Sequence, residues 1–259
     1  AYLPQGGIHT GPEWLRLVRT HELQGILTGA PGIFLFSTGG PLIIVAAIRD
    51  VRAPNALSEV PHGMRVIEEL PDGSQKLLNG DGAIVLKKPG VTSIPMEFDH
   101  TLKGRREWEE IFKPRLQFVP ERVSEASVFV GGRRLPFGSG GADWLKAHDR
   151  QTAYGLYCGS LYGRIRGWLG LVNASYLQVD DEPLFDEIID TVGELCYQGV
   201  KAVLDVYDGF DFGHFWEDIC FKSGPLINPR VFAKKVGPHY KRITDLLNEH
   251  GIHIVSLDC

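Results

Sequence analysis

The segment that most constrains this chain is residues 210–229, where a short aromatic run is followed by an acidic pair, a polar loop and a helix start. The aromatic run follows an Asp-Gly turn, a pattern typical of a buried strand. Glu217 and Asp218 come where that strand should end. Asn228 before Pro229 is a typical N-cap with proline in the first helical turn. Because catalytic groups collect at the carboxyl ends of parallel strands, this order predicts a ligand site beside the acidic pair.

Similar strand and helix patterns are predicted on both sides of this segment. Residues 153–158 and 252–257 are short β-prone runs. An amphipathic helix opens at Asp181 and leads into the aromatic strand, and another runs from Pro229 to a stop at Gly251. Strands that alternate with helices of this length predict a parallel sheet, either a barrel or a doubly wound sheet.

The part of the chain before these strands follows a different pattern. Residues 65–88 contain short β-prone runs separated by Asp-Gly turns, which predict an antiparallel meander. Residues 103–116 then carry apolar side chains at helical spacing, with Trp108 as a packing anchor. In residues 1–60, glycine and proline interrupt every period, so this region is left unplaced.

Composition argues against several classes of function. The 259 residues carry 27 basic and 32 acidic side chains, a formal charge of −5, with no basic block that would favour nucleic acid or an anionic membrane. The longest apolar run, residues 41–48, is far shorter than the roughly 20 residues that a membrane span needs. The four cysteines include no C-x-x-C pair, so we expect reduced thiols in a cytoplasmic protein.

Several motifs in the second half of the chain are similar to those of one known family. They are Trp216-Glu217-Asp218, the run KSGPLINP at 222–229, the run YKRI at 240–243, and His250-Gly251-Ile252 leading to Asp258. On these residues the chain resembles the uroporphyrinogen decarboxylase superfamily, a set of TIM-barrel proteins that also holds corrinoid-dependent methyltransferases. The resemblance covers about residues 61–259 and is most specific in the segment 215–229.

The resemblance implies an α/β fold of the (β/α)8 TIM-barrel type, with an N-terminal antiparallel β-meander and helices. The barrel would be truncated, because the family continues through further strand–helix units beyond this point, and we therefore expect an incomplete chain. One structural domain would contain the unplaced region 1–60, a meander and helix extension at 61–118, and the first part of the barrel at 119–259.

Two departures from the family patterns bear on the activity. The decarboxylases carry an arginine-rich segment near the N-terminus that grips substrate carboxylates, and nothing in residues 1–60 matches it. The methyltransferases place an H-x-C zinc motif at a strand end, where this chain has Leu257 and Cys259. The resemblance thus implies methyl transfer linked to a corrinoid, on this chain or on a partner protein, ranked slightly above decarboxylation of a tetrapyrrole. A non-catalytic barrel that binds a corrinoid or another anionic ligand is the alternative from a different class.

Glu217, Asp218 and Asp258 are the predicted catalytic residues. Neighbouring carboxylates raise one another's pKa, so one of them can hold a proton near neutral pH for acid/base catalysis. The structural alternative for Glu217 and Asp218 is a pair that caps or braces the loop to Pro229. Asp258 has the same two interpretations, because it stands at the end of the next predicted strand.

Substrate binding is predicted for Arg166, Lys222, Tyr157 and His214. The two cationic residues are suited to grip the carboxylate of a substrate. His214 lies inside the aromatic strand, where a satisfied core or supporting role is favoured over catalysis. Cys259 is the candidate zinc ligand, although a cysteine without an adjacent histidine more often packs without binding metal.

Overall fold

The computed structural model of the protein covers most of the chain from Arg65 onward. The described residues are 65–79, 82–91, 95–130, 133–147, 153–217, 219–221 and 224–258, together with the backbone of two strands at 26–28 and 43–46. For residues 130, 133 and 258 the description extends to the backbone alone. Asp218, Lys222 and Cys259 lie outside the described residues, so the roles predicted for them stay predictions.

The chain forms two compact units. The first consists of Ala1–Arg49, Phe118–Leu161 and Gly193–Cys259, and the second of Asp50–Gln117 and Tyr162–Val192. Each unit contains a sheet of its own. The predicted ligand site beside Glu217 belongs to the first unit.

The first unit holds a seven-stranded sheet. In spatial order its strands are β1 (Ile26–Thr28), β13 (Val255–Asp258), β10 (Phe212–Trp216), β9 (Tyr154–Gly159), β2 (Ile43–Ala46), β7 (Ser127–Val130) and β8 (Arg133–Pro136). Neighbours from β1 to β2 in this order pair in parallel, whereas β7 pairs antiparallel with both β2 and β8. A small antiparallel hairpin, β11 (Cys220–Phe221) and β12 (Gly224–Pro225), follows β10 along the chain.

The prediction of a (β/α)8 barrel is wrong. Barrel closure requires the two end strands of a sheet to pair with one another, and among the described strands β1 and β8 do not. One end of the sheet is also an antiparallel hairpin, β7 with β8, which a barrel of eight parallel strands does not contain. The protein is therefore mixed α/β with an open sheet. The predicted parallel relation of the aromatic strand to the strands at 153–158 and 252–257 is confirmed.

Helices occupy much of the remaining described chain. The α-helices are α1 (Arg105–Glu107), α2 (Glu121–Ser124), α3 (Ala142–Ala147), α4 (Tyr162–Leu169), α5 (Leu171–Asp180), α6 (Glu182–Leu204), α7 (Pro229–Val231) and α8 (Gly237–Glu249). Wider π-helical turns occur at Trp108–Phe112 and Phe232–Val236, and a 3₁₀ turn at Lys113–Arg115. Phe137–Gly141 is an irregular turn, in which Gly140 has a φ of 94°. None of the helices in the described part of the chain is long and apolar enough to cross a membrane.

The segment 210–229 has the predicted order of elements. Strand β10 is followed by the β11–β12 hairpin and then by α7, whose first residue is Pro229. The Asn228 side chain accepts a hydrogen bond from the backbone N–H of Arg230 at 2.9 Å, so the predicted N-cap is confirmed. Gly251, just past α8, has a φ of 77°, the left-handed conformation that ends many helices.

The second unit holds the predicted meander. Its strands β3 (Arg65–Glu69), β4 (Gln75–Leu78), β5 (Ala83–Lys87) and β6 (Met96–His100) pair antiparallel in chain order. In the first turn Asp72 accepts the backbone N–H of Ser74 at 2.9 Å, and Gly73 has a φ of 79°. Trp108 is completely buried, as expected of a packing anchor.

Candidate functional site

Three neighbouring parallel strands of the first unit end at the same edge of the sheet. Strand β10 lies between β9 and β13, with His214 opposite Tyr157 on one side and opposite Ser256 on the other. Trp216, the last residue of β10, is opposite Asp258, the last of β13. In open α/β sheets, ligands bind outside the carboxyl ends of such strands.

One face of these strands carries a row of polar and aromatic side chains. Because side chains alternate along a strand, Phe212, His214 and Trp216 project from the same side of β10. The imidazole of His214 lies 6.2 Å from the Tyr157 ring, centroid to centroid, and its Nδ1 is 2.8 Å from the Ser256 hydroxyl. We call this surface the His214 face; its described members are Gly155, Tyr157, Phe212, His214, Trp216 and Ser256.

The hydrogen-bonding groups of the His214 face are uncharged. Burial lowers the pKa of His214 from 6.5 to about 4, so the imidazole is neutral at physiological pH. Nδ1 is occupied by Ser256, and Nε2 makes no hydrogen bond to another described residue. Tyr157 and His214 are half-buried, which leaves part of each ring accessible. The row therefore offers Nε2 and two aromatic rings to a molecule on this side of the sheet.

The opposite face of the same strands packs against helix α8. A Cβ placed on Gly213 would lie 2.6 Å from a methyl group of Leu247, so the missing side chain lets the helix approach closely. The Phe215 ring is completely buried and lies 4.8 Å from the Tyr240 ring, centroid to centroid. This side is therefore part of the hydrophobic core.

Glu217 lies on this packed side of the strands. Its side chain is completely buried, and its carboxylate accepts the backbone N–H of Leu161 at 2.5 Å. On helix α8, burial and the nearby Glu217 carboxylate raise the pKa of Tyr240 above its usual range. The geometry thus connects Glu217 to the backbone that follows β9 and to helix α8.

Asp258 and Arg166 are the other predicted site residues within the described part of the chain. For Asp258 the backbone alone is described, at the sheet edge beside Trp216. Arg166 belongs to the second unit, on α4, one helical turn from the buried Tyr162. Burial raises the pKa of Tyr162, and the Arg166 charge acts in the opposite direction. The substrate-binding role of Arg166 stays a prediction.

Metal binding has no support in the described side chains. Among them there is no group of three or more His, Cys, Asp or Glu residues that could hold a metal ion. Burial raises the pKa of the Cys158 thiol to about 12, which keeps it protonated and a poor metal ligand. The described residues therefore do not fit a zinc centre, and Cys259 lies beyond them.

The sequence interpretation missed Ser256 and Tyr240. Ser256 lies in a predicted strand, and only the register between β10 and β13 reveals that it meets His214. Tyr240 is part of the apolar stripe of its helix, and its nearness to Glu217 depends on how α8 packs. Neither contact leaves a local signal in the sequence.

The fold and the site together define an α/β protein whose candidate ligand site stands on the carboxyl-terminal part of adjacent parallel strands. No family model and no curated protein matches the chain.

Proposed function

We propose that this protein is an enzyme that binds a small organic molecule on the His214 face and at the adjoining strand ends. The observation that carries the proposal is the row formed by Tyr157, His214 and Ser256, which crosses three adjacent parallel strands two residues before the last residue of each. Trp216 leads from this row to the carboxyl end of β10, and open α/β sheets bind their ligands outside such strand ends. The support therefore does not depend on a closed barrel.

The three side chains of the row are suited to different tasks. Ser256 is buried and holds the imidazole of His214 through Nδ1, which orients the ring before any ligand arrives. A neutral imidazole of this kind accepts or donates a hydrogen bond through Nε2 and takes up a proton during a reaction. The Tyr157 ring beside it offers aromatic surface, centroid to centroid 6.2 Å from the imidazole.

For the reaction, we favour methyl transfer to a corrinoid carrier, as in the methyltransferases of the uroporphyrinogen decarboxylase superfamily. The sequence resemblance supports this class, and the lack of the arginine-rich segment argues against the decarboxylases. The described side chains of the His214 face carry no positive charge at neutral pH, whereas a tetrapyrrole with several carboxylates needs cationic partners. Decarboxylation of a tetrapyrrole is the second candidate, and binding without turnover is the third.

A direct assay separates the three candidates. The purified protein is mixed with cob(I)alamin and a panel of methyl ethers and methylamines, and methylation of the cobalt is followed by absorbance. Uroporphyrinogen is offered separately, with release of carbon dioxide as the readout. We expect methyl transfer with at least one donor, and a loss of about tenfold or more in His214→Ala.

The matched control is Val179→Ala, which truncates a side chain on the surface of α5 in the second unit. It should leave turnover unchanged. Carbon dioxide release without methyl transfer would establish the decarboxylase instead. Ligand binding that His214→Ala weakens, with neither reaction, would indicate a non-catalytic binding protein.

A further inference from the structure

Building on the proposed function, we propose that the part of the ligand held by the His214 face is an uncharged planar aromatic ring. The ring would lie against Trp216, His214 and Tyr157, with a polar substituent bonded to Nε2 of His214. An uncharged aromatic ring is the chemical class of ligand that the shape and charge of the face favour.

Three aromatic side chains of the His214 face are partly exposed. Trp216 stands two residues beyond His214 on the same side of β10 and is 37% exposed. The Tyr157 and His214 rings are tilted by 45° to one another at a centroid distance of 6.2 Å. Aromatic rings prefer partners that are offset-stacked or edge-on at such distances. A planar ring placed on the face can make these contacts with more than one side chain at once.

The accessible part of the His214 face is bounded along the strands by Phe212 on one side and by the strand ends on the other. At the amino-terminal side, a Cβ on Gly155 would lie 2.5 Å from the Phe212 ring, so that ring fills the space above the glycine. At the carboxyl-terminal side, Trp216 is the last residue of β10 and is opposite Asp258. The open part of the face thus extends from His214 and Tyr157 to the strand ends.

The described side chains of the His214 face carry no charge at neutral pH. Tyr157, Trp216 and Ser256 are uncharged at neutral pH, and the half-buried His214 is neutral as well. A charged group of the ligand would lose its hydration here without gaining an ionic partner among these residues. The ring therefore belongs on the face, and any charged substituent belongs beyond Trp216, at the ends of the strands.

Isothermal titration with simple probes tests the inference. Phenol represents a planar ring with one hydrogen-bonding group, and cyclohexanol has the same polar group on a saturated ring. We expect phenol to bind more tightly than cyclohexanol. Trp216→Leu, which keeps apolar bulk but removes the aromatic surface, should weaken phenol binding roughly two- to twelvefold. It should change cyclohexanol binding by less.

The matched control is Tyr176→Leu, the same kind of aromatic-to-leucine change at an exposed position of α5 in the second unit. It should not alter binding of either probe. Thermal melting is measured for each variant, and if Trp216→Leu does not fold, Tyr157→Leu provides the same test. The expected result for Tyr157→Leu is again a selective loss of phenol binding.

Different outcomes overturn the inference and the proposed function separately. If cyclohexanol binds as tightly as phenol and His214→Ala weakens both, the ring preference is refuted while the site stands. If phenol binds but no change on the His214 face affects it, or if phenol does not bind, the inference is refuted. If phenol binds on the face as expected but no methyl donor or tetrapyrrole reacts, the ring site stands and the proposed reaction does not.

Discussion

The consecutive residues His214 and Phe215 of β10 lie in opposite environments. The Phe215 ring is completely buried against Tyr240 of α8, in a layer that also holds Leu247 and the Gly213 backbone. His214 is half-buried on the other side, hydrogen-bonded to a serine and beside a tyrosine ring. One strand thus contributes both to the core and to the candidate ligand site.

The comparison teaches that a residue that follows a strand end can still lie on the packed side of the sheet. Glu217 follows β10, yet it lies on the packed side, where it holds the backbone N–H of Leu161. His214, which was predicted to bind substrate in a supporting rather than a catalytic role, lies on the half-buried side of the strand. We therefore expect changes on the packed side to lower the free energy of unfolding, and changes on the His214 face to affect ligand binding first.

The largest difference in the free energy of unfolding should be the one between Phe215→Ala and His214→Ala, which remove two consecutive rings of β10. Phe215→Ala leaves a cavity beneath Tyr240, so we expect the free energy of unfolding to fall by about 3–5 kcal/mol. His214→Ala removes a half-exposed side chain and should cost about 1 kcal/mol. Urea denaturation of the two variants measures both values. Equal losses would contradict the assignment of the two faces.

A smaller loss is expected for Glu217→Ala. The change leaves the N–H of Leu161 without its acceptor in a buried place, which should cost about 1 to 3 kcal/mol. Glu217→Gln is the matched control, because its amide oxygen still accepts that hydrogen bond, and it should restore most of the stability. If Glu217→Gln keeps its stability but loses turnover, Glu217 is an acid/base catalyst, as first predicted.

The charge state of His214 predicts a pH dependence of stability. Its pKa is about 4 in the folded protein and 6.5 when exposed, so between these values the unfolded chain binds more protons. The stabilising contribution is thus complete above pH 6.5 and is lost as the pH falls toward 4. Allowing for partial exposure, we expect a loss of about 1 to 2 kcal/mol over this window.

The control for this pH effect is His214→Gln, which cannot titrate. Ser256 and Tyr157, which contact the ring, do not ionise in the same window, and all other carboxylates and histidines are common to both proteins. The difference between the two stability profiles therefore isolates His214. Parallel profiles from pH 7 to pH 4 would show that its pKa is not lowered.

Features that depend on a few neighbouring residues were predictable from the sequence. The meander follows from Asp-Gly turns, in which Asp72 bonds the backbone at Ser74. The start of α7 follows from Asn228 and Pro229, because an N-cap needs only the next turn of chain. Burial of Trp108 follows from helical spacing alone.

Features that depend on distant parts of the chain were not predictable in the same way. Closure of a sheet is decided by which strands meet at its ends. Gly131-Gly132 between β7 and β8 is a typical hairpin sequence, but no local pattern places that hairpin beside β2. Alternation along β10 separates His214 from Phe215, but it does not say which side α8 will cover. The contact of His214 with Ser256 likewise depends on register between two strands.

The smallest effect on stability is expected for Ser256→Ala. The change removes one hydrogen bond, to Nδ1 of His214, and should cost about 1 kcal/mol while leaving the fold unchanged. Ser256→Thr keeps the hydroxyl and should cost less. Ser175→Ala, at a half-buried position on α5, is the matched control, because it removes only an exposed hydrogen bond to the Leu171 carbonyl and should cost less than Ser256→Ala. Ser256 is itself buried, but it orients the imidazole of His214. Ser256→Ala should therefore weaken phenol binding more than Ser175→Ala does. If Ser256→Ala lowers stability but leaves phenol binding unchanged, the serine only fills space in the sheet, and His214 needs no partner to present Nε2.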